Sequence, residues 1–137
     1  MSTGGYSYLL SSGLLAQGAA PPIGVELPFD VVVLAAMEYQ PDLPGFTVLH
    51  VPLDDGPPPS HADRIRIRGA ARKVADYVRA GKRVLVTCWQ GRNRSGVISG
   101  LALRDLGLPG AQAAARIRRA RDGLTNPHFY AMVTGAR

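Results

Sequence analysis

The most chemically specific signal in the sequence is one short stretch, Cys-Trp-Gln-Gly-Arg-Asn-Arg-Ser, at positions 88–95. A cysteine thiolate is a strong nucleophile, and an arginine presents a planar fork of donors that matches two oxygens of a phosphate. Five residues separate Cys88 from Arg94, so a loop between them closes into a near circle with both ends directed at one anion. Gly91 permits the positive φ that such a tight loop needs. The stretch predicts a loop that binds an anion and attacks it with sulfur.

The elements on either side place this loop where α/β proteins bind ligands. Residues 84–87 are apolar without alternation, as is typical of a strand buried on both faces, and the nearly continuous apolar run 95–106 favours a buried helix. A loop that leads from a strand into a helix N-terminus offers unpaired amides and a positive dipole to an anion. The same positive surroundings favour the thiolate of Cys88. Ser95 follows Arg94 directly, so its hydroxyl can donate to the thiolate and help sulfur leave in a second, hydrolytic step.

The remaining pattern alternates strands with helices. Short β-branched runs at 29–34 and 46–51 predict strands, and Ser60 with Asp63 predicts the capped start of a helix that ends at Gly81. Two more helices are predicted near 111–121 and from about residue 126, and an N-terminal hairpin or edge strands at 6–10 and 13–16. Together these elements predict an α/β fold, a single domain over residues 1–137. Its mainly parallel central sheet is flanked by helices, with the phosphate-binding loop between a central strand and a buried helix.

Composition and charge limit the classes of protein to which this chain can belong. The chain has 137 residues and one cysteine, so no intrachain disulfide is possible, and a reducing, cytoplasmic setting is expected. No apolar run approaches membrane-spanning length, and neither a signal peptide nor a membrane span is predicted. The formal charge of +6 is concentrated in 64–83 and 116–121, which favours anionic partners without distinguishing phosphoprotein, phospholipid and nucleic acid. His61 and His128 lack metal-ligand spacing with other candidate ligands, His50 is expected to be structural or exposed, and no metal is predicted.

The motif Cys-x5-Arg-Ser after an apolar strand, in the second half of a chain of this size, resembles the compact dual-specificity branch of the protein tyrosine phosphatases. Low-molecular-weight tyrosine phosphatases carry a similar loop near their N-terminus, which does not match its position here. The resemblance spans about residues 29–129 and implies a two-step reaction through a phosphocysteine, without a metal or other cofactor. By the family pattern Cys88 is the nucleophile, Arg94 binds phosphate and Ser95 assists breakdown of the intermediate. The other loop residues are expected to bind substrate: Trp89, Gln90, Gly91, Arg92 and Asn93.

The family pattern also directs attention to residues outside the loop. Asp54 and Asp55 end a predicted strand at the place where the family carries its general acid, and Asp55 is the preferred candidate of the two. The family usually has His immediately before the nucleophile, where it helps order the loop, whereas this chain has Thr87, which offers one hydroxyl instead. Asn126 begins a segment similar to one that packs near the loop in the family, and an ordinary helix N-cap is an equal reading. Glu38 either pairs with a loop arginine or lies at the surface.

The sequence therefore predicts an enzyme that hydrolyses phosphate monoesters. Protein phosphotyrosine is the preferred substrate class, followed by phosphoserine or phosphothreonine. Two alternatives stay within the superfamily. The form Gly-x-Asn-Arg-Ser-Gly at 91–96 is similar to the branch that removes phosphates from RNA 5′ ends, and Arg92 is similar to basic loop residues of phosphoinositide phosphatases. A non-catalytic phosphopeptide-binding module is an alternative of another class.

Overall fold

The structure is a computed structural model that describes residues 5–135. Strands come first along this part of the chain, and helices dominate its second half. The elements are β1 (Tyr6–Tyr8), β2 (Leu15–Gly18), β3 (Val31–Ala36), β4 (Thr47–Leu53), α1 (His61–Arg79), β5 (Val84–Thr87), α2 (Arg94–Asp105), α3 (Gly110–Arg121) and α4 (Pro127–Thr134). The predicted α/β class is therefore confirmed, and the helix boundaries differ from the predicted ones by about one residue.

The strands form one sheet in the order β1-β2-β5-β3-β4. Only the β1–β2 pair is antiparallel in the described chain, while β5 runs parallel to β2 on one side and to β3 on the other. The mainly parallel sheet is thus confirmed, and so is the N-terminal hairpin. Its second strand, however, lies inside the sheet beside β5 and not at an edge. This position brings the end of β2 next to the end of β5, where Cys88 follows Thr87.

The four helices share one hydrophobic cluster with alternate residues of the strands, such as Val33 and Val86. A smaller cluster on the opposite face joins Val32 and Leu85 to residues of the connecting segments, such as Phe29. This arrangement explains why β5 is apolar without alternation, because both of its faces are covered. No helix in the described part of the chain has the length and apolar character needed to cross a membrane.

Helix α1 and helix α2 meet the core in different ways. As predicted, Ser60 caps α1 by accepting a hydrogen bond from the Asp63 amide at 3.1 Å, and the basic side chains of α1 lie mostly on its exposed face. In α2 every residue from Arg94 to Leu103 is buried. Gly100 allows α4 to pack closely, since a Cβ there would lie 2.8 Å from a methyl group of Val133. The core therefore fixes α2, and with it the helix end that follows the loop.

Candidate active site

Strand β5 carries Cys88 to the carboxyl edge of the sheet, and α2 begins six residues later at Arg94. Cys88 is only 4% exposed and Ser95 is fully buried. The Cys88 Sγ lies 3.2 Å from the Ser95 Oγ, so the two predicted partners are within hydrogen-bonding distance. Thr87, which stands at the position where the family usually has His, donates its hydroxyl to the Val33 carbonyl at 2.7 Å. Its one hydroxyl proton is therefore used on β3 and does not reach the loop.

The loop is packed tightly against the end of β2. Gly91 has a φ of +74°, and a Cβ at this position would lie 2.5 Å from the carbonyl carbon of Gly18 and 2.6 Å from its oxygen. Both the backbone conformation and the close approach therefore require glycine. Gly18 is itself the last residue of β2 and pairs with Thr87, so strand register sets the distance between β2 and the loop.

Four successive carbonyls of the loop are held by groups outside it. The Trp89 oxygen accepts from the Ala20 amide at 3.2 Å. The oxygens of Gln90 and Gly91 accept from the Arg121 guanidinium at 3.3 and 3.0 Å, and the Arg92 oxygen accepts from the Leu124 amide at 3.2 Å. In a planar trans peptide the N–H points opposite to the C=O. The amides of residues 90–93 are thereby directed towards the inside of the loop.

The segment that holds the Arg92 carbonyl is strained. Leu124 is completely buried with a φ of +59°, a conformation that is uncommon for a residue with a branched side chain. A Cβ on the preceding Gly123 would lie 2.7 Å from the Arg92 oxygen. Strain of this kind persists only where the surroundings enforce it, and it clusters at functional sites. Here it accompanies the close packing of residues 123–124 on the loop.

Arg94 is 7% exposed and is held by Glu38. Its Nη1 and Nη2 donate to the two carboxylate oxygens of Glu38 at 2.5 and 2.8 Å, and Nη1 also donates to the Leu53 carbonyl at 3.0 Å. The hydrogen bond between the two side chains lowers the pKa of Glu38 and raises that of Arg94. The Arg94 Nε is buried and has no hydrogen-bond partner within residues 5–135. The edge formed by Nε and Nη2 is therefore available to a planar pair of acceptors.

Asp55 and Asp54 have different surroundings. Asp55 is half-buried, and its carboxylate oxygens lie 3.4 Å from the side-chain amides of Asn93 and Asn126. Asn126 also donates to the Asp55 carbonyl at 2.6 Å. Asp54 is exposed and its carboxylate accepts from the Gly56 amide at 3.0 Å. Of the two acids, only Asp55 is tied to the loop.

Asn126 fulfils both of its predicted readings. Its side-chain oxygen accepts from the amides of His128 and Phe129, which caps α4. The backbone amide of Asn126 donates to the Asn93 side-chain oxygen at 2.8 Å. The helix cap and the contact with the loop therefore belong to the same residue.

A cavity of about 260 Å³ joins most of the predicted site residues. Its lining residues are Asp55, Cys88, Trp89, Gln90, Arg92, Asn93 and Arg94. Gly91 and Ser95 lie behind it, while Asp54 is not part of it. Within residues 5–135 no group of three or more His, Cys, Asp or Glu side chains is arranged to hold a metal ion. The cavity thus combines one sulfur, one carboxylate and a concentration of cationic and amide donors.

Two residues of the site were missed by sequence reasoning, namely Gln17 and Arg121. Arg121 reaches the loop from the last turn of α3, in a basic run that reads as a solvated face. Gln17 is fully buried in β2, and its side-chain amide donates to Gly91, Arg92 and Ser95. The polar residue within the short apolar run 14–19 was a usable signal, because a buried amide needs partners.

Comparison with known proteins supports this geometry at the level of the fold. No protein-family model and no curated protein sequence matches the chain. Among solved structures, human DUSP28 is 26% identical with a TM-score of 0.78, covering 93% of this chain and 89% of its own. A mutant form of Tk-PTP is also 26% identical, with a TM-score of 0.76 and coverage of 93% and 91%. A mouse putative dual specificity phosphatase complexed with zinc tungstate is 24% identical, with a TM-score of 0.77 and coverage of 93% and 83%.

The fold and the arrangement of strand, loop and helix around Cys88 match those of cysteine-dependent phosphatases. The chain is a member of the cysteine-dependent protein tyrosine phosphatase superfamily and is similar to its dual-specificity branch.

Proposed function

We propose that the protein hydrolyses phosphate monoesters through a phosphocysteine on Cys88, with protein phosphotyrosine as its substrate. The observation that carries this proposal is the outward attachment of four successive loop carbonyls. It leaves the amides of residues 90–93 and the free edge of Arg94 around the Cys88 sulfur. Amides and a guanidinium that are fixed before the reaction stabilise the charge of a phosphoryl group in its transition state.

In the first step the Cys88 thiolate attacks phosphorus, so that a P–S bond forms and the P–O bond of the ester breaks. The leaving oxygen takes the proton of the Asp55 carboxylic acid. Arg94 binds two phosphoryl oxygens through Nε and Nη2, while Glu38 holds the other edge of the guanidinium. The product of this step is phosphocysteine, with Asp55 as the carboxylate.

In the second step the Asp55 carboxylate accepts a proton from water, and the water oxygen attacks phosphorus. The P–S bond breaks, and the electron pair returns to sulfur as inorganic phosphate forms. The Ser95 hydroxyl, 3.2 Å from the sulfur, donates a hydrogen bond to the departing thiolate. Cys88, Asp55 and Ser95 are thereby returned to their starting states.

The rim of the cavity favours an aromatic substrate. Trp89 lines the cavity and is 53% exposed, and its ring contacts that of Tyr39 edge-on, with 5.9 Å between centroids. Aromatic rings pack favourably on each other in such offset or edge-on arrangements. A phosphotyrosine ring entering with its phosphate on the loop would pass this rim, which supports tyrosine over serine or threonine.

One observation favours a second candidate, a substrate with more than one phosphate. Arg92 is half-buried and lines the cavity, and its guanidinium donates to no other group in the described part of the chain. A guanidinium in that position is suited to an additional phosphate. A 5′-triphosphorylated RNA or a phosphoinositide supplies one.

The nucleophile is tested with Cys88→Ser and an aryl phosphate substrate. Turnover by the unmodified protein is expected to be insensitive to chelators. The variant should lose turnover yet still bind orthovanadate by calorimetry, because the amides and Arg94 remain and a serine hydroxyl is far less ionised than a thiol. Retained hydrolysis in the variant would contradict the mechanism, and absence of turnover in the unmodified protein would favour a binding module.

The substrate class is tested by comparing kcat/KM across four substrates. These are a phosphotyrosine peptide, a phosphoserine peptide, a phosphoinositide and a 5′-triphosphorylated RNA. The phosphotyrosine peptide is expected to lead, and Trp89→Ala is expected to lower kcat/KM for it most. A preference for the RNA or the lipid that is lost in Arg92→Ala would favour the second candidate instead.

A further inference from the structure

We propose that Gln17 is a positioning residue that directs the Ser95 hydroxyl at the Cys88 sulfur and so accelerates breakdown of the phosphocysteine. This inference rests on the proposed function. Gln17 lies in β2, far from the loop in sequence, and its side chain is completely inaccessible to solvent. Its Nε2 lies 3.0 Å from the Ser95 Oγ and 3.0 Å from the Gly91 carbonyl, with the Arg92 carbonyl at 3.3 Å.

The orientation of the Gln17 amide is fixed by chemistry. Both backbone groups that face it are carbonyl oxygens, which only accept hydrogen bonds. A flipped amide would place its own oxygen against these two oxygens, so Nε2 must face the loop. The Gln17 Oε1 then points away and has no partner in the described chain.

The bond to Ser95 determines where the serine proton points. A hydroxyl has one proton to donate and two lone pairs that accept. Because Gln17 donates to the Ser95 oxygen, it occupies a lone pair and leaves the proton for another acceptor. The Cys88 sulfur is 3.2 Å away, and as a thiolate it accepts that proton in a hydrogen bond. Gln17 thus favours the serine rotamer that stabilises sulfur as a leaving group.

The contacts also separate this role from general support of the loop. Without Gln17 the Gly91 carbonyl still accepts from Arg121, and the Arg92 carbonyl still accepts from the Leu124 amide. Neither carbonyl is left unpaired, and the buried, unpartnered Oε1 disappears. Replacing Gln17 by Met, which has a similar length, is therefore expected to keep the fold and the anion-binding amides while the serine loses its orientation.

Gln17 supplies a side-chain donor to the loop, which Thr87 does not. Thr87 stands in place of the His that helps order the loop, and its hydroxyl is directed to Val33. Gln17 donates to two loop carbonyls from the neighbouring strand. This contact is possible because β2 pairs with β5 in parallel, with Gln17 opposite Val86 and Gly18 opposite Thr87.

The test is a burst experiment with an aryl phosphate on Gln17→Met, Ser95→Ala and the double variant. Gln17→Met should lower kcat about tenfold, as expected for one hydrogen bond to a reacting centre. Phosphoenzyme should accumulate during turnover to a greater fraction than in the unmodified protein, whereas orthovanadate affinity and the midpoint of thermal unfolding should change little. In the Ser95→Ala background, Gln17→Met should have no further effect on kcat. Gln112→Met, on the exposed face of α3, is the matched control and should behave like the unmodified protein.

Independent, multiplicative effects of the two substitutions on kcat would overturn the proposal, as would a lower kcat without phosphoenzyme accumulation. A loss of vanadate affinity equal to the loss of kcat would show that Gln17 supports only anion binding, which also overturns it. If Gln17→Met does not fold, Gln17→Asn, whose shorter side chain cannot reach Ser95, should give the same kinetics. Turnover with no phosphoenzyme in either the unmodified protein or Ser95→Ala would instead reject the proposed function itself.

Discussion

One arginine approaches the loop from each side, the buried Arg94 and the half-buried Arg121, and the two have opposite surroundings. Arg94 is paired with a carboxylate, and the hydrogen bonds that it donates to Glu38 raise the pKa of Arg94. Arg121 donates to the neutral carbonyls of Gln90 and Gly91 and to the Ser7 hydroxyl, and burial lowers the pKa of Arg121. Arg94 has a free edge on the cavity side, whereas Arg121 binds the back of the loop. Arginine thus has two uses at one loop, because Arg94 presents a donor edge to the cavity and Arg121 holds the carbonyls whose peptides turn their amides inwards.

The largest loss of activity should come from substitution of Arg94, the arginine on the cavity side of the loop. Arg94→Lys replaces a planar fork by a single ammonium group, which cannot contact two phosphoryl oxygens and Glu38 with the same geometry. Loss of one or two charge-assisted hydrogen bonds, each worth about 1.5–3 kcal/mol, should lower kcat/KM by roughly 10- to 10⁴-fold. Steady-state kinetics with a phosphotyrosine peptide measure this. A variant within a few-fold of the unmodified protein would show that the fork is unnecessary.

The next largest effect should be that of Asp55→Asn. Protonation of the leaving oxygen contributes about 10²- to 10⁴-fold, so kcat for a phosphotyrosine peptide should fall by an amount in this range. An aryl phosphate with a good leaving group should lose less in the first step. Asp54→Asn is the matched control, because its carboxylate only closes a turn with Gly56. Equal losses for both substrates, or a greater loss in Asp54→Asn, would reject Asp55 as the acid.

Substitution of Arg121, the arginine on the back of the loop, should cause a smaller loss of activity. Arg121→Lys keeps a positive charge but loses the fork that holds two carbonyls, so the Gly91 and Arg92 amides are less firmly directed inwards. The expected loss is about tenfold in orthovanadate affinity and in kcat/KM, in line with one or two hydrogen bonds to the backbone. Arg119→Lys, on the exposed side of the same helix, is the control. If Arg121→Lys were as damaging as Arg94→Lys, the distinction between the two sides of the loop would be wrong.

The smallest effect on activity is expected far from the site. Asp30 and Arg83 precede β3 and β5 and join them by hydrogen bonds of 2.9–3.1 Å, at the edge of the sheet opposite Cys88. The hydrogen bond from the Arg83 side chain lowers the pKa of Asp30 to about 2. Because the folded-state pKa lies below the unfolded one, this pair stabilises the fold above about pH 4, and the stabilisation is lost as the pH falls towards about 2.

Asp30→Asn should therefore lower the free energy of unfolding at neutral pH and make it less dependent on pH between about 4 and 2. Urea unfolding followed by circular dichroism at several pH values measures this. Activity at neutral pH should be unchanged. A variant with the same acid dependence as the unmodified protein would show that Asp30 does not titrate as described.

The sequence was informative where the site is contiguous and less so where distant segments meet. Cys88, Arg94 and Ser95 lie in one motif, and the apolar patterns of β5 and α2 were sufficient to predict the elements around it. Gln17 and Arg121 reach the loop only because β2 is inserted beside β5 and α3 packs on the same edge. Periodicity within a segment predicts a strand or a helix but not its neighbour.

The pairing of Glu38 with Arg94 shows the same limit. Glu38 follows β3 and Arg94 begins α2, and they meet because β3 and β5 are adjacent and parallel. The Glu38 side chain is 46% exposed, so Glu38 both lies at the surface and forms the ion pair. The choice between Asp54 and Asp55 likewise depends on contacts with Asn93 and Asn126, which lie far along the chain.

The most direct test of the account is to trap the covalent intermediate. The unmodified protein is mixed rapidly with a phosphotyrosine peptide or an aryl phosphate, quenched with acid during turnover and examined by peptide mass spectrometry. The account predicts one phosphoryl group, attached to the sulfur of Cys88, and none in Cys88→Ser treated in the same way. A phosphoryl group on another residue, or turnover with no phosphoenzyme even in the Ser95→Ala variant, which should slow its breakdown, would contradict it.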